Sequence, residues 1–274
     1  MTIRIGQIDY ANCTPIFTAL REHCDCSGYR FVPGVPAYLN RLLAAGDIDV
    51  CPSSSIEYGL HPDQYFILPD LSISAVGAVK SVLLFSRLPL EELDRSTIGM
   101  TNESDTSVNL LRIILGTFCR FSNTFERTNL PFPLALESYP ALLLIGDNAL
   151  RASLAKPACY VYDLGELWQR FTGLPFVFAL WLIRRDIVTL RRAEAARLAV
   201  DLVRSKRIAY ESYDTIADHA AERSWMEQQQ LIDYWRIISY DLTERHVEGL
   251  RTFFAHAAAL GVLKEEPEIA VFGA

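Results

Sequence analysis

The chain has 274 residues, 50% of them hydrophobic and 22% charged, which is ample for a packed core of one large or two medium domains. Its net charge is −7, and no Lys/Arg run exceeds a pair such as Arg184-Arg185 or Arg191-Arg192, which argues against a nucleic-acid surface. A small anionic ligand stays open, because helix ends supply positive potential locally. The apolar run Phe176 to Ile183 is too short to span a bilayer, so no membrane role is expected. Met1-Thr2-Ile3-Arg4-Ile5 enters a strand pattern without the basic start and apolar stretch of a signal peptide. The cysteines at 13, 24, 26, 51, 119 and 159 form no C-x-x-C and suit no common zinc pattern. They are expected as reduced thiols of a cytoplasmic protein.

In chain order, strand and helix patterns alternate through the first two thirds. Ile3 to Ile8 reads as a strand and Pro15 to Glu22 as a helix, with Thr14 at the N-cap and Pro15 at the first helical position. Tyr29 to Val32 reads as a strand. Pro36 to Ala45 is amphipathic, with Leu39, Leu42 and Leu43 on one face, and Gly46 ends it. Ile48 to Cys51 is a short strand that leads through Ser53-Ser54-Ser55 into a helical turn to Tyr58. Tyr65 to Leu68 and Leu71 to Phe85 follow, the latter broken near Gly77 into a pair of strands.

A second unit repeats the alternation. Thr97 to Met100 is a strand, Thr106 to Cys119 an apolar helix and Leu142 to Ile145 a strand. Asp147 to Leu154 is helical, Cys159 to Tyr162 extended, and a helix from Leu164 to Phe171 closes at Thr172-Gly173. Phe176 to Ile183 has the composition of a fully buried strand. From Ile187 the period is helical, with helices near 187–209, 211–222, 227–236 and 243–260. The expected fold class is α/β in two lobes, with the helical tail packed on the first. The first lobe is discontinuous, 1–85 with 180–274, and the second is 86–179. The apolar stretches near 79–85 and 176–183 are the expected crossings, with ligand between the lobes.

One arrangement recurs. A strand ends in a turn of Asn, Ser, Thr, Asp or Gly and a helix starts, at Asn12-Cys13-Thr14-Pro15, Ser53-Ser54-Ser55, Ser104-Asp105-Thr106-Ser107 and Gly146-Asp147-Asn148. Helix starts offer unpaired N–H groups and partial positive charge, so several at one sheet edge make a cleft for a small acidic ligand. Asn12 can both donate to and accept from such a ligand, although Asn is also an ordinary turn residue. Thr106 and Ser107 offer hydroxyls and N–H groups to a carboxylate, and Ser104 or Asp105 fits an N-cap. Gly146 allows close backbone approach, and Asp147 fits an N-cap better than a catalytic acid. Ser81 carries a hydroxyl inside an apolar strand and must find a partner if buried. Glu57 suits the dipole of its helix whether or not it touches ligand.

None of the histidines at 23, 61, 219, 246 and 256 falls in a strand-to-helix turn, and no pair has metal-ligand spacing. Gly-x-Ser-x-Gly, P-loop and dinucleotide patterns are absent. No metal and no organic cofactor is therefore expected.

The ordered set of turns resembles the chorismate dehydratases, the first enzymes of the futalosine route to menaquinone. The resemblance starts at Arg4-Ile5-Gly6-Gln7-Ile8 and Tyr10-Ala11-Asn12-Cys13-Thr14-Pro15. It continues through Gly46-Asp47-Ile48-Asp49-Val50, Pro52 to Glu57, Gly77-x-Val79-x-Ser81-Val82 and Glu103 to Val108. Leu144-Ile145-Gly146-Asp147-x-Ala149-Leu150, Asp163-Leu164-Gly165 and Thr172 to Phe178 complete it, in family order to about residue 186. It implies a two-lobed fold similar to periplasmic binding proteins (type II). It also implies loss of water from chorismate, a small dianion, to give 3-[(1-carboxyvinyl)oxy]benzoate. Asn12 and Ser81 are implied in the active site, with Ser53, Ser54, Thr106, Ser107, Gly146, Asp147 and Phe176 as expected substrate-binding residues. Asp105 departs from the family pattern and is expected to face solvent or cap its helix. The rival readings are the sister enzyme that releases dihydroxynaphthoate from a cyclic futalosine, and a non-catalytic solute-binding protein.

Overall fold

The computed structural model describes residues 2–273. The chain begins with β1 (Ile3–Ile8), α1 (Thr14–His23), β2 (Tyr29–Gly34), α2 (Pro36–Ala45), β3 (Val50–Ser54), α3 (Ser55–Leu60) and β4 (Tyr65–Ala75). Proline sits in the first turn of α1 and of α2, where a missing N–H costs nothing. Gly46 ends α2 at φ 80, a left-handed conformation that glycine takes without strain. A second group follows: β5 (Val82–Ser86), β6 (Thr97–Met100), α4 (Asp105–Arg112), β7 (Thr124–Arg127), α5 (Phe132–Ser138), β8 (Ala141–Ile145), α6 (Gly146–Leu154), β9 (Tyr160–Asp163) and α7 (Leu164–Thr172). The last part comprises β10 (Phe176–Arg184), α8 (Arg185–Leu190), α9 (Arg192–Glu211), α10 (Tyr213–His219), α11 (Gln228–Ile237), β11 (Ile238–Ser239) and α12 (Glu244–Ala259).

The strands form two mixed sheets. The first has the order β11-β4-β10-β3-β1-β2 and the second β7-β6-β8-β5-β9. In the first, β1 runs parallel to β2 and β3, while β10 pairs antiparallel with β3 and β4. β10 therefore lies inside the sheet, and every residue from Phe176 to Ile183 is buried. This explains an apolar run without alternation. In the second sheet β6, β7 and β8 are parallel and β5 is antiparallel to β8 and β9.

The passages between the sheets differ from the expected ones. β5 belongs wholly to the second sheet and β10 wholly to the first, so the chain crosses over residues 76–81 and 173–175, not at 85/86 and 179/180. The apolar stretches are strands of one sheet each. The chain turns where the backbone takes positive φ, at Gly77 (94), Lys80 (59) and Gly173 (72). The short elements β7, α5 and β11 were not expected, and the helix expected near 187–209 is two, α8 and α9. The helix expected from Thr106 to Cys119 keeps α geometry to Arg112 and then widens into a π turn over Ile113–Phe118.

The first crossing is pinned by one carboxylate. Asp163 caps α7, its Oδ1 accepting the N–H groups of Gly165 (2.9 Å) and Glu166 (3.2 Å). Its Oδ2 accepts the N–H groups of Val79 (2.9 Å) and Lys80 (2.6 Å). The start of α7 then lies so close to the crossing that a Cβ on Gly165 would stand 2.4 Å from the Gly77 carbonyl oxygen. Gly165→Ala is expected to cost about 1–3 kcal/mol of stability by overpacking against backbone. A lower urea midpoint at unchanged slope is the predicted outcome. A wild-type midpoint would show that the crossing can move aside.

Candidate active site

The carboxyl ends of β1, β3 and β8, the first crossing and the start of α4 face one another across a cleft between the sheets. Its wall includes Tyr10, Asn12, Ser54, Val79, Ser81, Ser104, Ser107, Gly146 and Phe178. None of the lining residues is Lys, Arg or His. The cleft is narrow, with about 50 Å³ open to the centres of water molecules. A 150 Å³ cavity is about what benzene needs. A ring-sized ligand therefore enters only as the sheets part or the lining side chains turn.

Asn12 lies on the loop after β1. The Trp235 indole N–H donates to the Ala11 carbonyl (2.7 Å), and the Tyr240 hydroxyl to the Asn12 carbonyl (2.9 Å). These bonds leave the side chain free, and Asn12 Oδ1 is buried without a protein partner. A buried acceptor left unpaired costs about 1–3 kcal/mol, and Asn12 lines the cleft, where a donor can reach it. Ser81 is 2% exposed at the edge of β5. Its oxygen accepts from the Tyr234 hydroxyl at 2.9 Å, and its own proton reaches the Val79 carbonyl only at 3.4 Å. The Tyr10 hydroxyl is a second buried group of the cleft wall without a hydrogen-bond partner. Burial, then the nearby charge of Glu103, pushes its pKa well above the usual tyrosine value, so it remains a donor.

Two helix starts complete the wall. Ser104 caps α4, its hydroxyl accepting the Ser107 N–H at 3.3 Å, and the two hydroxyls lie 3.2 Å apart. α6 opens at Gly146, with φ 56, and the Gly146 N–H donates to the Ser81 carbonyl at 2.7 Å. A Cβ there would stand 2.7 Å from the Tyr10 ring. These ends bring partial positive charge to a cleft without a cationic side chain.

The cleft thus gathers Asn12, Ser54, Ser81, Ser107 and Gly146, and four of the expected binding residues lie off it. Ser53 precedes Ser54 in β3, and the pleat that brings Ser54 to the cleft turns Ser53 away. Thr106 is fully buried, and its hydroxyl oxygen accepts the Ile56 N–H (3.0 Å), tying α4 to α3 across the two lobes. Asp147 Oδ1 accepts the Ala11 N–H (2.9 Å), a second tie across the lobes. Phe176 is packed among Trp168, Phe178 and Phe253, with ring centroids 4.7–5.1 Å away, and Phe178 takes the cleft position. Asp105 is half-buried and paired with Arg127. Glu57 accepts from the Tyr65 hydroxyl (3.1 Å) away from the cleft, and burial raises its pKa. Among the described residues, no group of three or more His, Cys, Asp or Glu could hold a metal ion. Nor is any helix long and apolar enough to cross a membrane.

Sequence reasoning did not single out Tyr10, Phe178 or Tyr234. Tyr10 stands two residues before Asn12, a spacing that could have found it. Tyr234 lies in a helix of ordinary amphipathic pattern and gave no signal.

The sequence profile of a family described as menaquinone biosynthesis matches residues 3–259. A chorismate dehydratase of Thermus thermophilus is 34% identical over 273 residues, which cover 94% of this chain and 95% of that protein. A 1,4-dihydroxy-6-naphtoate synthase of the same organism is 27% identical over 242 residues, 84% of this chain and 83% of the other. Among solved structures, an Archaeoglobus fulgidus protein matches with TM-score 0.78 at 21% identity, over 96% of this chain and 98% of that one. The periplasmic aliphatic sulphonate-binding protein of Escherichia coli matches with TM-score 0.70 at 12% identity, over 98% and 90%. The fold is the two-lobed α/β fold of the periplasmic binding proteins, with C-terminal helices.

The tie through Asp147 carries a pH dependence. Burial raises its pKa to about 6, opposed by the Ala11 N–H and assisted by the charge of Glu222. The folded protein therefore holds this proton more tightly than the unfolded chain, whose carboxyl titrates near about 4. Raising the pH from about 4 to about 6 costs folding stability, and the cost is complete above about 7. Asp147→Asn keeps an oxygen for the Ala11 N–H and removes the titration. Relative to wild type, it is expected to gain about 2–3 kcal/mol between pH 4 and pH 7. Parallel stability–pH curves for the two proteins would refute this.

Proposed function

The chain belongs to the menaquinone-biosynthesis family, and on that premise we propose that it is a chorismate dehydratase. The reaction removes water from chorismate and leaves 3-[(1-carboxyvinyl)oxy]benzoate. The observation that carries this reading is a largely apolar cleft whose polar groups are hydroxyls and one amide beside two helix starts, with no Asp, Glu, Lys, Arg or His in its lining. Such a cleft suits an elimination that aromatises a ring, because the product's stability drives the step and the substrate brings its own base.

In this mechanism the enolpyruvyl carboxylate removes the proton from the ring carbon that bears its ether oxygen. Its attachment gives it the proximity a base requires. The C–O bond to the adjacent ring hydroxyl breaks as the ring becomes aromatic. The proton taken up ends on the departing oxygen, so one water leaves and no group of the enzyme is consumed. Chorismate has one O–H to donate, the ring hydroxyl that departs. Asn12 Oδ1, buried and lacking a donor, is the acceptor for it. The Ser81 hydroxyl donates to the same oxygen as it leaves. Ser104, Ser107 and the starts of α4 and α6 hold the carboxylates. The six cysteines are free thiols, in keeping with a cytoplasmic enzyme.

Purified protein is expected to convert chorismate to the aromatic product, seen by ultraviolet absorbance and mass, without added metal or cofactor. Asn12→Ala and Ser81→Ala are expected to lower kcat by about a hundredfold or more while the fold stays intact. Unimpaired kcat in both removes the pair from the mechanism. Chorismate bound but unchanged would mean a solute-binding protein. Release of dihydroxynaphthoate from a cyclic futalosine would mean the activity of the 27% identical relative.

The substrate-assisted step has its own check. Glu57 is the half-buried carboxylate with a raised pKa nearest in sequence to the Ser53–Ser55 turn. Glu57→Gln is expected to retain turnover within about fivefold of wild type, since an isosteric amide keeps its hydrogen-bonding shape. A variant that still binds chorismate but is catalytically dead would identify Glu57 as the base.

A further inference from the structure

Three aromatic donors of one short segment, Tyr234, Trp235 and Tyr240, reach both members of the Asn12/Ser81 pair. Trp235 and Tyr240 donate to the Ala11 and Asn12 carbonyls at 2.7 and 2.9 Å and hold the loop. Tyr234 differs, because it donates to a side chain, the Ser81 hydroxyl, at 2.9 Å. Tyr234 is 3% exposed and Ser81 2%, so the bond between them is shielded from bulk solvent.

Resting on the dehydratase reading, we propose that Tyr234 is a positioning residue of the reaction, acting through Ser81. Its proton occupies one side of the Ser81 oxygen. The Ser81 proton must then point elsewhere, and its protein alternative, the Val79 carbonyl, is at a weak 3.4 Å. A better acceptor in the cleft takes that proton, and the departing ring oxygen is such an acceptor. As Ser81 donates, charge builds on its oxygen, and the Tyr234 hydroxyl strengthens in response. The C-terminal helices, the part of the chain with the least distinctive pattern, thus supply the frame that aims both residues.

The test is Tyr234→Phe, which removes one hydroxyl and keeps the ring. The expected result is a fall in kcat of about tenfold, with KM and affinity for the aromatic product within about twofold of wild type. A role in packing alone predicts kcat near wild type, or a rise in KM with kcat unchanged, and either result overturns the proposal. The same substitution in the Ser81→Ala background is expected to cause no further loss, since the hydroxyl it acts through is gone. An equal loss in both backgrounds overturns it as well. Absence of chorismate turnover in the wild-type protein overturns the dehydratase reading and this inference with it. Wild-type turnover with a silent Tyr234→Phe overturns this inference alone.

Discussion

The four N–H groups gathered by the Asp163 carboxylate set the path of residues 77–81, and the geometry of the cleft follows from that path. Burial disfavours the charged carboxylate and raises its pKa, while the four donors act in the opposite direction. Two of the donors that match the charge at this crossing are fixed by helix geometry at the start of α7. Because two donors belong to the start of α7 and two to the crossing, neither can move without unpairing the other. The crossing delivers Ser81 to the cleft, and the Ser81 carbonyl receives the Gly146 N–H, which places the start of α6. Gly146 in turn leaves the space that the Tyr10 ring fills.

On the proposed function, a cleft of this kind would hold an anion with groups that carry no net charge, which matters for the chemistry. A Lys or Arg against the enolpyruvyl carboxylate would bind it more tightly and lower its basicity. Hydroxyls and helix N–H groups orient a carboxylate at a smaller cost to its proton affinity. Water would compete for the same oxygens until a ligand fills the cleft and displaces it. The requirement for a base without a catalytic side chain and the requirement for a neutral wall are thus one requirement. Its consequence is that position, not charge, has to be controlled. This explains why so many bonds around the cleft fix main chain and hydroxyl orientation.

Much of this was legible in the sequence, because the strand–turn–helix repeats depend on local rules. The Ser104 cap, Pro15, Gly46 and the unalternating Phe176–Ile183 run each state their element. Whether a turn residue faces ligand or protein was not legible. Thr106 and Asp147 have the right chemistry for the wrong partner, since their oxygens accept N–H groups of the opposite lobe. Period two places Phe176 and Phe178 on one face of a strand, but which of them reaches the cleft depends on where the sheet meets α7 and α12. Short elements such as β7 and α5 carry too few residues for a period to show. Tyr234 is the extreme case, since its partner is 153 residues away in the chain.

The lobe ties bear on how a ligand comes and goes. The bonds Ala11 to Asp147 and Ile56 to Thr106 join the sheets in the same arrangement that leaves about 50 Å³ open to water centres. The Ile56–Thr106 bond is worth about 1 kcal/mol net and the bond to the Asp147 carboxylate about 1.5–3 kcal/mol, because water replaces each when broken. Opening the lobes would break both ties along with the apolar contacts between them, and in the proposed reaction this would recur once per turnover. Their positions add something that strength does not. Ala11 adjoins Asn12, and Thr106 lies between Ser104 and Ser107 in the wall-forming turn of α4. On the proposed function, a motion that parted the lobes to admit a ligand would also free the residues proposed to grip it. When the ties re-form, they restore the positions on which a neutral wall depends.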